Sequence, residues 1–591
     1  MTFSQLSQYF EKLEETASRL SMIEILSDLF KHTSKDEIDK VIYLTQGRIA
    51  PFFEATEIGM AEKQVANAIA MAYDSTKEDV LKLYGKLGDM GKTVEQLSIR
   101  HSGKQGTSAS RIDSGQARVT VSEVFEILTT IAKTSGEGTV EKRQILLSDL
   151  LKKIDPISAK HLVRIPLGNM RLGIGDPTVL DGLATAKLGD KSKRKLLEGA
   201  YNRTSDLGLI AKTLYAGGIP AVEKLKVIVG KPIRSELCER LPTPEKAIEK
   251  MGQVDVQYKY DGFRVQIHKD GDNVSMFSRN LENMTHMFPE LIEATHKQVK
   301  AKTAILDTEA LAYNTASEEF LPFQETTKRR RKHGIEEMAK KLPLKAFVFD
   351  ILYKDGKSLI DEPLKKRIEI LRQTIKEDGT LISSITETVN DPKRLSIMLE
   401  DAISKGLEGV VIKRLESPYE AGGRNFNWVK LKRHSAGELH DTIDCVILGY
   451  IFGKGKRAEF GAGALLVGLY DDKKDEFVTV SKIGTGLTDK EWREVHKRAD
   501  KIKVDHKPAR VSSLIEPSVW IKPEIVIEVL ADEITRSPIH TAGAFTKDDI
   551  KEPGYALRFP RLVSFRNHDK RAEDATTVKE LIEMYKQQGK K

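Results

Sequence analysis

Hydrophobic positions along the 591 residues recur with two periods, and the change from one to the other divides the chain. Up to about residue 215 apolar residues fall at helical spacing. Ser34-Lys-Asp-Glu37 and Ser75-Thr-Lys-Glu78 read as capping boxes, each followed by an apolar face, and Gly47 is placed to stop the first of these helices. Between Ser98 and Arg118 the chain turns glycine- and serine-rich and basic, which predicts an exposed loop. The run from Gly168 to Pro177 is dense in glycine ahead of a helix. It reads equally as a plain interhelical turn or as a loop that offers backbone N–H groups to a phosphate.

From about Ala216 to Arg433 period-two stretches mix with helical ones, and beyond Arg433 short strands take over. Cys445–Tyr450, Ala464–Tyr470, Phe477–Ser481 and Ile525–Val529 are the clearest, with Gly453–Arg457 a basic hairpin tip. Asp574-Ala-Thr-Thr577 caps a terminal helix. The expected fold is multidomain: an all-α part over 1–215, an α+β part over 216–435, and an all-β barrel with a C-terminal helix over 436–591.

Composition narrows the function classes only a little. The length suits about three domains, and 40% hydrophobic with 31% charged residues fits a globular protein. A formal charge of +8 suits a nucleic-acid partner. Two cysteines, Cys238 and Cys445, exclude a disulfide framework and a four-cysteine zinc site. The polar start carries no signal peptide, and no apolar run is long enough to span a bilayer, so a cytoplasmic protein is expected. No Gly-x-x-x-x-Gly-Lys-[Ser/Thr] occurs, which disfavours a P-loop ATPase.

Candidate chemistry centres on Asp255–Ile267, where Val254–Val256 and Val265–Ile267 read as strands on either side of a turn at Asp261-Gly262. Lys259 then stands at a strand end. Tyr258, Tyr260 and Phe263 are expected to crowd it and Arg264 to add a second cation, both disfavouring its ammonium form. A lysine so treated is a nucleophile near neutral pH; the bland alternative is a surface lysine before an Asp-Gly turn. Downstream, Asp307 and Glu309 share a strand face, where a ribose hydroxyl or a divalent metal would partner a buried carboxylate. Phe347 and Phe349 share another, either as core or with one flat on a purine. Glu408 opens a strand with its carboxylate at the edge, suited to a metal. Lys430 and Lys432 point the same way and call for an anion such as a triphosphate between them, with Arg424 in reach of it. The basic run Lys328–Lys332 reads as a solvated or DNA-facing loop rather than a nuclear address.

Taken in order, Lys259-Tyr-Asp-Gly-Phe-Arg264, Ser278-Arg-Asn280, Leu306-Asp-Thr-Glu309, Phe347-Val-Phe-Asp350, Glu408–Lys413, Trp428–Lys432 and Asp569-Lys570 resemble the nucleotidyltransferase motifs of ATP-dependent DNA ligases. The likeness covers essentially the whole chain and is nearest to archaeal replicative ligases and their eukaryotic relatives. It implies a helical DNA-binding domain that grips the duplex backbone, an adenylation domain and an OB-fold. It makes Lys259 the covalent nucleophile and assigns ATP contacts to Arg264, Arg279, Glu309, Phe349, Arg424 and Lys430, with Phe349 stacked on adenine. Metal binding falls to Glu309 and Glu408, for Mg²⁺. Lys570 would supply charge to the β,γ-phosphates. The implied partner is nicked duplex DNA, handled by a monomer; sliding-clamp docking is a family expectation without a clear clamp-binding box.

Three departures stand out. Gln257 replaces a glutamate that commonly accepts from the adenine amino group, and Thr308 replaces the glycine of Asp-Gly-Glu. Arg566 lies three residues before Asp569-Lys570 rather than two; in an extended segment that shift turns it to the opposite face, so its role is not carried over. RNA ligases and capping enzymes share the chemistry, but the long helical N-terminal region argues against them. A scaffold with a decayed pocket predicts lost pocket residues, whereas the lysine, both glutamates and the phenylalanine are present.

Overall fold

In this computed structural model the described residues are 1–591 except 55, 105–118, 315–318, 322, 332, 377–378, 405–406, 433–441, 453–460, 485–486, 548–549, 567–569 and 589–591. The basic hairpin tip, Asp569 and most of the glycine-rich basic loop therefore lie outside them. The chain forms two compact units, Met1–Leu431 and Lys432–Lys591.

The first unit begins with helices, from Phe3–Glu14 to Leu207–Glu223. Buried Phe3, Phe10, Leu26, Phe30, Ile42, Ile69, Leu128 and Leu162 join one apolar core. Two caps differ from expectation. Ser34–Glu37 is a turn preceding the helix Ile38–Thr45, which has no side-chain cap, while Glu37 binds the N-terminal ammonium at 2.7 Å. In the next, Thr76 rather than Ser75 accepts from the Asp79 N–H. Gly47 does close its helix, at φ +69°, with its N–H on the Leu44 carbonyl. The glycine-dense run leads, as expected, into the helix Asp176–Leu188 with proline in its first turn. Helical structure outlasts residue 215, since Leu207–Glu223 continues beyond a backbone break at Gly218.

Among the described residues twelve strands follow: β1 (Leu237–Arg240), β2 (Val254–Lys259), β3 (Phe263–Asp270), β4 (Asn273–Ser278), β5 (Thr303–Asn314), β6 (Glu319–Phe320), β7 (Leu344–Lys354), β8 (Lys357–Ser358), β9 (Leu381–Ser383), β10 (Thr386–Val389), β11 (Gly409–Arg414) and β12 (Arg424–Lys432). They make two sheets. One runs β1-β12-β11-β2-β10; the other runs β4-β3-β5-β7-β8, with β6 on β5 and β9 on β7. Alternation gives each sheet an apolar face and a polar one. Val254, Val256, Val410, Ile412, Val429 and Leu431 pack in one core, and Val265, Ile267, Leu306 and Val348 in another.

In the second unit β13 (Ile443–Ile451), β14 (Ala464–Asp471), β15 (Glu476–Ile483), β16 (Lys503–Val504), β17 (Val511–Ser512) and β18 (Val519–Leu530) form a sheet in the order β16-β18-β13-β14-β15-β17. The strand Arg561–Phe565 adds to β18. A capping box of Thr577 and Glu580 starts the terminal helix Val578–Gln587, as its sequence predicts. Among the described residues no helix is long and apolar enough to cross a membrane.

Candidate active site

Strands β2 and β3 flank the Asp261-Gly262 turn, but they do not pair with each other. β2 pairs with β10 and β11, and β3 with β4 and β5, so the turn carries the chain from one sheet to the other. Only glycine fits there: a Cβ on Gly262 would lie 2.3 Å from the Ala310 carbonyl oxygen. The same crossing brings the end of β2 against β5, and the Gly262 N–H donates to Glu309 Oε1 at 3.1 Å.

Lys259 ends β2 opposite Gly409, and its ammonium pairs with the Glu408 carboxylate. The expected aromatic cage is not what surrounds it. The Tyr258 hydroxyl donates to Asp401, Tyr260 stacks on Phe347 at 3.9 Å, and Phe263 packs on Phe288. The sign of the expected pKa shift is corrected too. Burial pushes the Lys259 ammonium down, but Glu408 and Glu309 outweigh it, so the net shift is upward. Lys259 is therefore held as an ammonium ion. Burial raises Glu309 to about 7, against the opposing pull of Lys259 and Arg264.

Arg264 is fully engaged by the protein. Its Nε and Nη2 grip Asp307 at 3.0 and 2.6 Å, Nη1 donates to the Glu236 carbonyl at 2.8 Å, and Nη2 reaches the Tyr419 hydroxyl. The Tyr419 hydroxyl also donates to Asp307 Oδ2 at 2.9 Å. Asp307 and Glu309 thus share a strand face, yet the partner of Asp307 is Arg264 rather than a ligand. Only Glu309 is left for one.

Phe347 and Phe349 do not behave as a pair. Asp307 is registered with Asp350 and Thr308 with Val348, which leaves Phe349 as the extra residue of a bulge. Phe347 is buried on Tyr260, whereas Phe349 is half-buried, edge-on to Trp428 at 6.1 Å. Lys413 lies beneath it, with Nζ donating to the Phe349 carbonyl at 3.2 Å and standing 3.9 Å from the Trp428 ring centre. Burial lowers the Lys413 pKa against the pull of Asp350 and Asp255. Asp350 itself is neutralised by Arg367, both fully buried. The sequence reading gave no role to Lys413, Glu236, Tyr419 or Arg367. For Lys413 the signal was there, since it alternates with Val411 and Gly409 on the pocket side of β11.

Gln257 is buried on the same face of β2 as Lys259, flanked by Thr386 and Val411. Thr308 is buried as well, and its hydroxyl donates to the Val265 carbonyl of the neighbouring strand at 2.7 Å, a bond that glycine would lack. Arg424 is exposed at the start of β12, and Lys430 and Lys432 are half-buried at alternate positions further along it. Arg279 is exposed just past β4. Lys570 and Arg566 belong to the second unit. The Lys570 N–H donates to the Arg566 carbonyl at 3.0 Å. Lys570 pairs with Asp444, and Arg566 Nη1 lies 3.8 Å from the same carboxylate. The altered spacing therefore does not part the two cations.

Lys259 with two carboxylates near it, the half-buried Phe349 and the alternate lysines of β12 are all carried by the two sheets of the first unit. Comparison with known proteins places the chain in a family. Models described as the ATP dependent DNA ligase domain, the DNA ligase N terminus and the ATP dependent DNA ligase C terminal region match residues 235–432, 2–184 and 458–570. A "Probable DNA ligase" of Dictyoglomus turgidum is 49% identical over 590 residues, covering 100% of this chain and 98% of that protein. A DNA ligase of Sulfolobus acidocaldarius is 40% identical over 595 residues, covering 100% and 99%. A solved structure titled "Pmar-Lig_Pre." matches with a TM-score of 0.50 and 17% identity, over 95% of this chain and 99% of that one. The chain belongs to the ATP-dependent DNA ligases, with a helical N-terminal part, an adenylation part and a C-terminal β part.

Proposed function

We propose that this enzyme seals nicks in duplex DNA through AMP carried on Lys259. The nitrogen of Lys259 attacks the α-phosphate of ATP and pyrophosphate leaves. AMP passes to the 5′-phosphate of the nick, and the 3′-hydroxyl then displaces it. Each step is an in-line displacement at phosphorus, so positioning and charge neutralisation carry the catalysis. The observation that carries this reading is the Lys259–Glu408 pair, with Glu309 beside it.

That pair also sets the first chemical requirement. An ammonium ion is no nucleophile, so Lys259 must lose its proton before it attacks. Whatever takes up the negative charge of Glu408 and Glu309 leaves burial to act alone, and burial lowers the lysine pKa. Two carboxylates close to Lys259, one of them raised to about 7, fit an oxygen-liganded divalent cation. Mg²⁺ held by Glu309 and Glu408 would supply positive charge to the phosphate oxygens. Phe349, half-buried beside Trp428, is assigned to the adenine ring, and Gln257 to its amino edge through the amide oxygen. Arg424, Lys430, Lys432 and Arg279 are assigned to phosphates, and Lys570 to the β,γ-phosphates during the first step. Arg264 is proposed to act chiefly by fixing Asp307, Tyr419 and the start of β1.

We further assign residues 1–215, 216–435 and 436–591 to DNA gripping, adenylation and an OB-fold, working as a cytoplasmic monomer. Sliding-clamp docking rests on family resemblance alone. The test is a chase. Protein incubated with ATP labelled on the α-phosphate should hold the label covalently, then surrender it when unlabelled nicked duplex is added, with sealing. Label that stays on the protein while the nick persists would contradict the reading.

A further inference from the structure

The second unit holds a charge arrangement that the three-step reaction does not by itself explain. Asp444 on β13 and Glu528 on β18 are direct partners in the antiparallel register. Like charges placed opposite each other across two strands repel, unless a cation stands between them. Here two do. Lys570 pairs with Asp444, while Arg566 Nη1 lies 3.8 Å from Asp444 Oδ1 and 4.0 Å from Glu528 Oε1. The Asp444 side chain is only 10% exposed, so its charge has little water to fall back on. Its backbone is fixed as well: the Asp444 N–H donates to the Thr576 hydroxyl oxygen at 3.0 Å, and the Thr576 N–H to the Asp444 carbonyl at 3.1 Å. Glu528 is held by Thr442 and Ser564 hydroxyls, each at 2.7 Å. The two carboxylates are thus a rigid, pre-formed receptor for cations.

We infer that Asp444 is a positioning residue that docks Lys570 in the nucleotide-free enzyme, so that the triphosphate must draw this lysine away from a standing protein partner. The inference rests on the reading that Lys570 meets the β,γ-phosphates in the first step. Drawing Lys570 off leaves the Asp444–Glu528 pair short of a cation, and that cost opposes engagement with ATP. Once pyrophosphate departs, the same carboxylates take the lysine back. The dock therefore raises the ATP concentration needed for self-adenylation and hastens withdrawal of the segment afterwards. Asp444 touches neither nucleotide nor DNA in this scheme; it acts through Lys570.

The test is single-turnover self-adenylation across an ATP titration, with full-length wild type, Asp444→Asn, Lys570→Ala and the double variant. Asp444→Asn should lower the half-saturating ATP concentration by about fivefold, the scale of one partly exposed ion pair. Asp444→Glu, which keeps the charge, should return it towards wild type. In the Lys570→Ala background the Asp444→Asn effect should vanish. A merely structural role predicts instead a lower maximal rate with unchanged half-saturation. That result, or an Asp444→Asn effect that persists without Lys570, overturns the inference while leaving the role of Lys570 intact. Unimpaired self-adenylation in Lys570→Ala overturns both. Should the asparagine lower the melting temperature, Asp444→Ser gives the same comparison with a smaller side chain.

Discussion

In the helical region Arg164 is almost wholly buried, yet each side of its guanidinium meets a carboxylate: Glu14 at 2.8 and 3.1 Å, Asp89 at 2.5 and 3.3 Å. Lys160 next to it holds Glu11 at 2.6 Å and Glu14 at 3.0 Å. Burial works against these charges, but the partners win, leaving Glu14 at about 2 and Lys160 and Arg164 raised. Glu14, Asp89, Lys160 and Arg164 are each pushed towards the charged form. In the nucleotide region Lys259 and Arg264 are likewise raised, but other buried groups settle differently. Glu309 is raised to about 7 and Glu236 to about 8, both chiefly by burial, and Lys413 is lowered for the same reason. These groups are pushed towards neutrality because their partners fall short. Matched buried charge builds structure; buried charge left short of partners marks where a ligand has work to do.

The contrast is broken most severely in the helical region. Arg164→Leu would leave Glu14 and Asp89 facing each other without their shared cation, which should cost about 3–5 kcal/mol of stability. Urea or thermal unfolding would measure it. The variant that remains folded should still form the covalent adduct at wild-type rate, and a large loss of stability together with a dead pocket would mean that the two regions are not independent in this respect.

A change of opposite sign is expected in the pocket. The folded pKa of Glu309 lies above its ordinary value, so its contribution to stability is fully present below about pH 4.5 and is lost as pH rises through about 7. Glu309→Gln removes the titration. The variant should match wild type in acid and exceed it above neutrality, by about 3 kcal/mol at most, while self-adenylation falls. Melting temperatures at pH 5 and pH 8 test this; a variant less stable at pH 8 would show that Glu309 is paired after all.

The smallest effect concerns Gln257, a neutral amide at a buried position where a carboxylate is common. Gln257→Glu should sharpen the preference for ATP over GTP by about fivefold, since the amide NH₂ that could donate to a purine carbonyl is gone. Adduct formation with each nucleotide gives the ratio, and equal ratios for the two proteins would remove Gln257 from base recognition.

How much of this was legible beforehand follows from the range of each interaction. Strand alternation put Glu309 on the face of Asp307 and set Lys430 and Lys432 at alternate positions of β12, because side-chain direction on a strand is local. The Thr577 cap and the Gly47 stop were local as well. What failed depended on distant chain. Arg264 and Tyr419 meet on Asp307 from positions far apart in sequence. The cage around Lys259 was read from its neighbours, whereas its charge environment comes from Glu408 and Glu309. The bulge at Phe349 exists only in the pairing of β7 with β5, so no period within β7 announces it.

Everything in this account depends on Lys259 being the residue that takes AMP, and site mapping tests that most directly. Wild-type enzyme and Lys259→Ala would be incubated with α-labelled ATP and divalent metal, digested, and the labelled peptide sequenced by mass spectrometry. The account predicts a single adduct on Lys259 in the wild type, none in the variant, and sealing of a pre-adenylated nick retained in part by that variant. An adduct on another lysine, or a labelled Lys259→Ala protein, would contradict it.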